Sequence, residues 1–286
     1  MNTRFRPTPY RDMHLGHAWT ALHNWEAAAA SGGRFILIAD DYAYNLQYLQ
    51  EQSWPLTECV DRYCRDLAWL GMEPDEVVYS TRNCEAHAEA AAVFGLKPPG
   101  RVADLSMVVT TIRNAAHGQA DGYEPFLIAC RVMDDALLGV DLFYRGADLI
   151  GERQLYDFMA RQLRLNPPAQ EYLPVIQREN APGKESKSLG AVSIRQLREA
   201  GYAAGDILNT LRECDRRSRE AGHAATIIPV GVLDVPEVTT LPWQHSRLAS
   251  KYESEGYADE PFFGAVQEWR GRLKERILKA GKQRGQ

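Results

Sequence analysis

Two groups of residues in this chain have the types and spacing to handle a nucleoside triphosphate. The first is His14-Leu15-Gly16-His17, at the start of a helix that the periodicity of Trp19, Leu22 and Trp25 carries to about Ala30. Transfer of an adenylyl group builds negative charge on the α-phosphate, and a helix N-terminus bearing two imidazoles one turn apart is suited to receive it. Gly16 has no side chain, so an adenine ring would lie against the backbone there. The second is Lys184-Glu185-Ser186-Lys187-Ser188. A polar loop with two lysines can close over the β- and γ-phosphates as pyrophosphate forms, then open to release it. Each group alone has a plainer reading: a metal pair or chance neighbours for the histidines, solvated surface for the lysines.

The elements that must position these groups read as alternating strands and helices. Residues 3–6 are short and β-compatible, Ser31-Gly32-Gly33 ends the first helix, and the nearly continuous apolar run 34–39 before Asp40-Asp41 is a buried parallel strand. Leu56, Val60, Tyr63, Cys64, Leu67 and Leu70 mark a second helix, and 77–79 another strand. The apolar run Phe126 to Met133, ending in Asp134-Asp135, reads as a strand, as do 140–145 and Leu173 to Ile176, with a helix over 154–165. The expected fold class is therefore α/β, a parallel sheet covered by helices on both faces, with ligands at the carboxyl ends of the strands. Residues 177–190 read as a polar surface loop, 226–242 as an irregular crossing segment, and 194–200, 207–217, 245–255 and 262–280 as helices.

Composition narrows the function classes. A net charge of -5 gives no overall cationic field of the kind that attracts nucleic acid, so any RNA contact has to be local. The basic run Arg270, Arg272, Lys274, Arg276, Lys279, Lys282 and Arg284 is one candidate, against the commoner reading of a solvated helix face. Five cysteines without a CxxC pair argue against structural zinc and against a disulfide framework, and fit a reducing cytoplasm. No apolar run has membrane-span length, and no signal-peptide pattern opens the chain.

Thr3-Arg4-Phe5, followed at the same interval by His14-Leu15-Gly16-His17, resembles the opening of class I aminoacyl-tRNA synthetases of the glutamyl/glutaminyl branch. The KxSKS loop with Leu189-Gly190-Ala191-Val192-Ser193 after it is similar to that family's lysine loop. Asp134-Asp135, Leu138-Gly139-Val140 and Arg145-Gly146-Ala147-Asp148-Leu149 resemble its intervening segment. The resemblance covers about residues 3–80 and 122–215. It implies a Rossmann-like catalytic domain over 1–180, with a shortened insertion near 80–122, and a smaller, mostly helical part over 181–286. It also implies ATP, with Mg2+, as the co-substrate, and glutamate or a similar amino acid as the acid activated.

By the same resemblance, His14 and His17 would stabilise the transferring phosphate, with Gly16 facing adenine. Lys187 would hold the triphosphate, assisted by Lys184 and Ser186, and Asp148 would meet the ribose. Arg4, Thr8 and Asp40 would grip the amino acid, the aspartate taking its ammonium. Arg145 would meet a side-chain carboxylate; its plainer reading is a salt bridge to a core acid. The chain departs from the family at Ile38, where an arginine is usual, at Tyr42-Ala43, at Arg11, and at Leu127 or Phe126, one of which stands where a pocket tyrosine is expected. The pocket has thus been rebuilt. The short stretch between Tyr79 and Phe126 shows no acceptor-binding fold. The resemblance implies an adenylate-forming ligase with tRNA as its acceptor. The alternatives are transfer to a small amine or carrier protein without tRNA, or a non-catalytic RNA-binding paralogue.

Overall fold

The pentapeptide Phe35–Ala39 is apolar at every position because both of its faces are covered. It is β2 of a five-stranded sheet that also contains β1 (Thr3–Phe5), β3 (Glu76–Tyr79), β4 (Leu142–Gly146) and β5 (Ala169–Leu173). The order is β3-β2-β1-β4-β5, and every neighbouring pair is parallel. The structure is a computed structural model that describes residues 1–9, 12–42, 55–96, 123–173, 177–178, 181–184, 193–220, 225–226 and 238–239. The expected helices over 245–255 and 262–280, and the basic run that ends the chain, lie outside the described residues.

The alternation along β2 sorts the two layers. Phe35 and Leu37 point into a cluster with Trp19 and Leu22 of α1 (Leu15–Ser31) and with Tyr63 and Leu67 of α2 (Leu56–Trp69). Ile194 and Leu197 of α6 (Ile194–Glu199) and Ile207 and Leu211 of α7 (Ala204–Glu220) belong to the same cluster. Ile36 and Ile38 point the other way, toward α3 (Cys84–Val93), α4 (Tyr123–Leu138) and α5 (Arg153–Gln162). The position where an arginine was expected, Ile38, is thus a fully buried core residue.

One strand expectation is corrected. The run Phe126 to Met133 is part of α4, not a strand. Its residues other than Arg131 are buried, so the helix is apolar nearly all round and carries no amphipathic period to distinguish it from a buried strand. Asp134 and Asp135 therefore sit on a helix rather than at a strand end. One edge strand of the sheet is β5, Ala169–Leu173, and the remainder of the strand expected over Leu173 to Ile176 lies outside the described residues. As an edge strand β5 alternates exposed and buried positions, so its signal was the period and not an apolar block. Within the expected loop 177–190, β6 (Gln177–Arg178) and β7 (Ala181–Lys184) pair antiparallel. Two further short strands, β8 (Ala225–Thr226) and β9 (Val238–Thr239), pair likewise within the expected crossing segment.

The sheet opens between β1 and β4, which share only the register pair Thr3↔Leu142. This is where the chain order reverses direction, the position at which open parallel sheets take their ligands. Asn24 of α1 fills the gap. Its Oδ1 accepts from the Tyr144 backbone N–H at 3.0 Å, and its Nδ2 donates to the Tyr144 carbonyl at 3.1 Å. Its own carbonyl accepts from Thr3 Oγ1 at 2.7 Å. Asn24→Leu keeps the approximate volume but leaves two buried backbone groups of β4 unmatched. Urea unfolding is expected to show a loss of about 2–4 kcal/mol, against little change for an exposed control such as Glu26→Gln.

Candidate active site

α1 begins immediately beyond the turn that follows β1, and its N-cap is His14. The imidazole folds back over the helix end, and Nδ1 accepts from the backbone N–H of Gly16 at 3.1 Å and of His17 at 3.4 Å. An acceptor nitrogen carries no proton, so the neutral ring holds its hydrogen on Nε2. Gly16 makes room for this arrangement: a Cβ there would lie 3.1 Å from His14 Cε1 and 3.2 Å from Nδ1. The geometry thus gives Gly16 a duty within the chain, beside the adenine contact expected of it. The His17 ring stacks on His14 at 3.8 Å between centroids and 20° between planes, and its Nδ1 lies 3.3 Å from Tyr63 Oη. No acidic side chain occupies the first turn of α1, where the positive end of the helix lies. The other end stops at Gly32, which takes the left-handed conformation (φ 62°).

The segment that follows the lysine loop is tied to the same spot. Ser193 forms an isolated antiparallel bridge with His14, and the Ile194 N–H donates to the Met13 carbonyl at 2.8 Å. Ser193 also caps α6 in a reciprocal capping box with Gln196. Asp12 reinforces the junction, its carboxylate meeting Arg62 of α2 at 3.1 Å and Arg195 of α6 at 2.9 Å. Lys184 ends β7, but its side chain, together with Ser186 and Lys187, lies outside the described residues. Arg11 does too.

The carboxyl ends of the strands converge on a buried ionic network that sequence reasoning largely missed. Arg6, one residue beyond β1, reaches Asp134 at 2.7 Å, Asp40 beyond β2 at 3.3 Å, and Ser80 Oγ beyond β3 at 2.8 Å. Asp134 also accepts from Ser80 Oγ at 2.8 Å and Asn83 Nδ2 at 2.7 Å, and lies 2.8 Å from His87 Nε2. Burial by itself would raise the pKa of Asp134, but the charges of His87 and Arg6 and the bonds from His87 and Asn83 outweigh it and hold the group below the usual carboxylate range. Asp41 is pushed the other way by burial, despite bonds from the Thr81 N–H at 2.9 Å and from its hydroxyl. Tyr42 packs edge-on against Phe126 with centroids 5.5 Å apart, and its Oη lies 3.3 Å from His87 Nδ1.

The expected amino-acid residues fall into three situations. Asp40 stands in this network, with Arg131 of α4 as a further cation at 3.9 Å. Thr8 is half-buried in the turn between β1 and α1. Arg4 is engaged elsewhere: its guanidinium meets Asp135 at 2.9 and 3.2 Å and lies 3.7 Å over the Phe143 ring, while Tyr156 Oη donates to the same carboxylate at 2.8 Å. Arg145, at the end of β4, pairs with Glu152 at 2.9 Å, so the salt bridge that was its plainer reading is present. Asp148 follows β4 in the 3-10 turn Ala147–Glu152 at the same sheet edge; its side chain is not among those described. Arg6 had one available signal, a charged residue directly after a strand. His87, Arg131 and Glu152 had none, because their partners are distant in sequence or hidden in the misread α4.

The family described as "tRNA synthetases class I (E and Q), catalytic domain" matches residues 1–93, the stretch that holds β1, α1 and the His14/His17 pair. Over that stretch the chain is similar to class I tRNA synthetases. A glutamate–tRNA ligase of Paracoccus denitrificans is 27% identical over 274 residues, covering 73% of this chain and 60% of that protein. One from Acidithiobacillus ferrooxidans is 26% identical, covering 87% of this chain and 67% of its own length. Among solved structures, glutamate–tRNA synthetase from Elizabethkingia anophelis has the same fold with a TM-score of 0.53 at 15% identity, covering 74% of this chain and 61% of that one. Tyrosyl-tRNA synthetase from Aeropyrum pernix aligns over 97% of this chain and 84% of its own, with a TM-score of 0.54 at 15% identity. The chain thus spans about 60% of the Paracoccus relative's length. The synthetase family uses ATP, and among the described residues no helix is long and apolar enough to cross a membrane.

This helix end can be tested apart from any reaction. Asparagine caps helices well, so His14→Asn is expected to keep stability within a few tenths of a kcal/mol, whereas His14→Ala should lose about 1 kcal/mol in urea unfolding. Gly16→Ala, which crowds the ring, should resemble His14→Ala.

Proposed function

We propose that this domain activates glutamate or a close analogue with ATP and transfers the acyl group to a tRNA acceptor. In the first step a carboxylate oxygen of the amino acid attacks the α-phosphorus. The bond from that phosphorus to the oxygen bridging toward the β-phosphate breaks, giving aminoacyl-adenylate and pyrophosphate. In the second, an acceptor hydroxyl attacks the acyl carbon, and AMP leaves. The observation that carries this reading is the stacked His14/His17 pair on the acid-free N-terminus of α1, beside the switch point of the sheet.

The two imidazoles and the positive end of the α1 dipole would meet the negative charge that grows on the α-phosphate. Gly16 would let adenine approach, and Asp148 would take the ribose. Lys187, with Lys184 and Ser186, would draw off the pyrophosphate. The Ser193–His14 bridge supports this assignment because it anchors the chain five residues after the lysine motif directly at the imidazoles. Asp40 would hold the α-ammonium, with Thr8 beside it. Asp40 already meets the cations Arg6 at 3.3 Å and Arg131 at 3.9 Å, so its surroundings suit a cationic group. Arg4 would act through Asp135, fixing α4 against β1. Mg2+ would come with the nucleotide; the described residues gather no group of three or more metal-ligating side chains. A reducing cytoplasm suits the chain's thiols.

Amino-acid-dependent exchange of pyrophosphate into ATP, with and without total tRNA, tests the proposal. Exchange with glutamate or an analogue is expected, reduced about a hundred- to a thousand-fold in His17→Ala and in the well-capped His14→Asn. Dependence on added tRNA would strengthen the case for RNA as acceptor. Absence of exchange with every amino acid under both conditions would refute adenylation.

A further inference from the structure

Arg145 is the cation expected to read a side-chain carboxylate, yet it already holds one. Glu152, seven residues on in the 3-10 turn, places Oε2 at 2.9 Å from Arg145 Nη1 and in direct contact with Arg131 Nη1. The three side chains are only 7%, 14% and 16% exposed for Arg145, Glu152 and Arg131, so this is an ionic bridge with little water to replace it. The second terminal nitrogen of Arg145 is also engaged, donating to the Leu149 carbonyl at 2.7 Å and to Tyr172 Oη at 3.4 Å. Nε is buried and without a partner among the described residues.

Charge counting extends the point across the site. Four guanidinium groups, those of Arg4, Arg6, Arg131 and Arg145, gather at this edge of the sheet. Their ion-pair partners are four carboxylates, those of Asp135, Asp134, Asp40 and Glu152, with Asp41 a further buried acid beyond β2 and His87 also on Asp134. A substrate carboxylate added here would be one acid more, and would reach Arg145 in competition with Glu152. The N–H donors that Glu152, Leu149 and Tyr172 leave unspent on the neutralised Arg145 match a neutral carbonyl oxygen better than a second anion, because a buried charge without its own counter-charge is strongly disfavoured.

We propose that Glu152 determines the substrate class: by neutralising Arg145 it makes the pocket select a close analogue of glutamate whose side chain is uncharged, such as the amide, over glutamate itself. This rests on the adenylation reading above, and narrows it. A site built to hold an ion or a neutral group discriminates against the other because the wrong ligand leaves polar groups unmatched.

The test compares two stable mimics of the adenylates, glutamyl- and glutaminyl-sulfamoyl adenosine, which differ only in carboxylate against amide. Their dissociation constants are measured by calorimetry for the wild-type chain and for Glu152→Gln. The wild type is expected to bind the glutaminyl mimic at least tenfold more tightly, and Glu152→Gln to move that ratio at least tenfold toward the glutamyl mimic. A wild type that prefers the glutamyl mimic overturns the proposal without reference to any variant. So does an amide preference that Glu152→Gln leaves unmoved, since the selectivity then lies elsewhere. If neither mimic binds while the chain is folded, adenylation itself fails and this inference with it, an outcome distinct from a reversed ratio.

Discussion

The contact between Arg6 and Asp134 is the constraint on which the rest of this site depends. Both groups are buried, and removing a charge from water costs several kcal/mol per ion unless its partners are close and well aligned. Arg6 leaves β1 at the middle of the sheet, so a carboxylate has to be delivered there from another element. α4 delivers it, bringing Asp134 to Arg6 and the next residue, Asp135, to Arg4. One helix thereby fixes the strand that leads into α1 from two sides. Asp40 and Ser80, each just beyond its own strand, close the same network. The carboxyl edge of the sheet is consequently rigid and charge-matched before any substrate arrives, the condition under which fixed dipoles act on a transition state at low reorganisation cost.

α1 links this edge to the proposed phosphate site through two different polar devices. Asn24 stitches the helix into the opening between β1 and β4, and His14 caps its first turn. The first determines where the helix end lies relative to the switch point. The second determines which nitrogen of His14 carries a proton. Ser193 and Asp12 then attach the segment following the lysine loop to the same turn. A loop that carries lysines toward a triphosphate needs such a fixed base, because its reach is measured from there.

Much of this was legible in the order of residues. The α1 start, the apolar β2, the helical spacing of α2, and the Thr-Arg-Phe to HxGH interval are local signals, and local signals survive in a single sequence. α4 was misread because a helix buried on nearly every side loses its 3.6-residue period, and an apolar block of eight residues has the length of a strand. That error concealed the network, since Asp134, Asp135 and Arg131 were assigned to a strand and its end. The pairing of Arg145 with Glu152 spans seven residues across a strand end and a 3-10 turn, a spacing that carries no recognisable pattern. Asn24 was silent for a different reason: a buried polar residue on an amphipathic helix reveals its purpose only when the strand that it serves is in place. The histidine motif identified the chemistry, and the folded chain supplied the charge environment in which a substrate would have to fit.

In the proposed reaction the capped N-terminus of α1 receives the phosphates of ATP. Nitrogen NMR of the histidine imidazoles measures this directly. In the free protein His14 should appear as the neutral ring protonated on Nε2, as its cap requires. Saturating ATP should shift His14 and His17, while His87, buried against Asp134, stays where it was. A His14 protonated on Nδ1, or imidazole signals at both positions that saturating ATP leaves unmoved, would contradict the account.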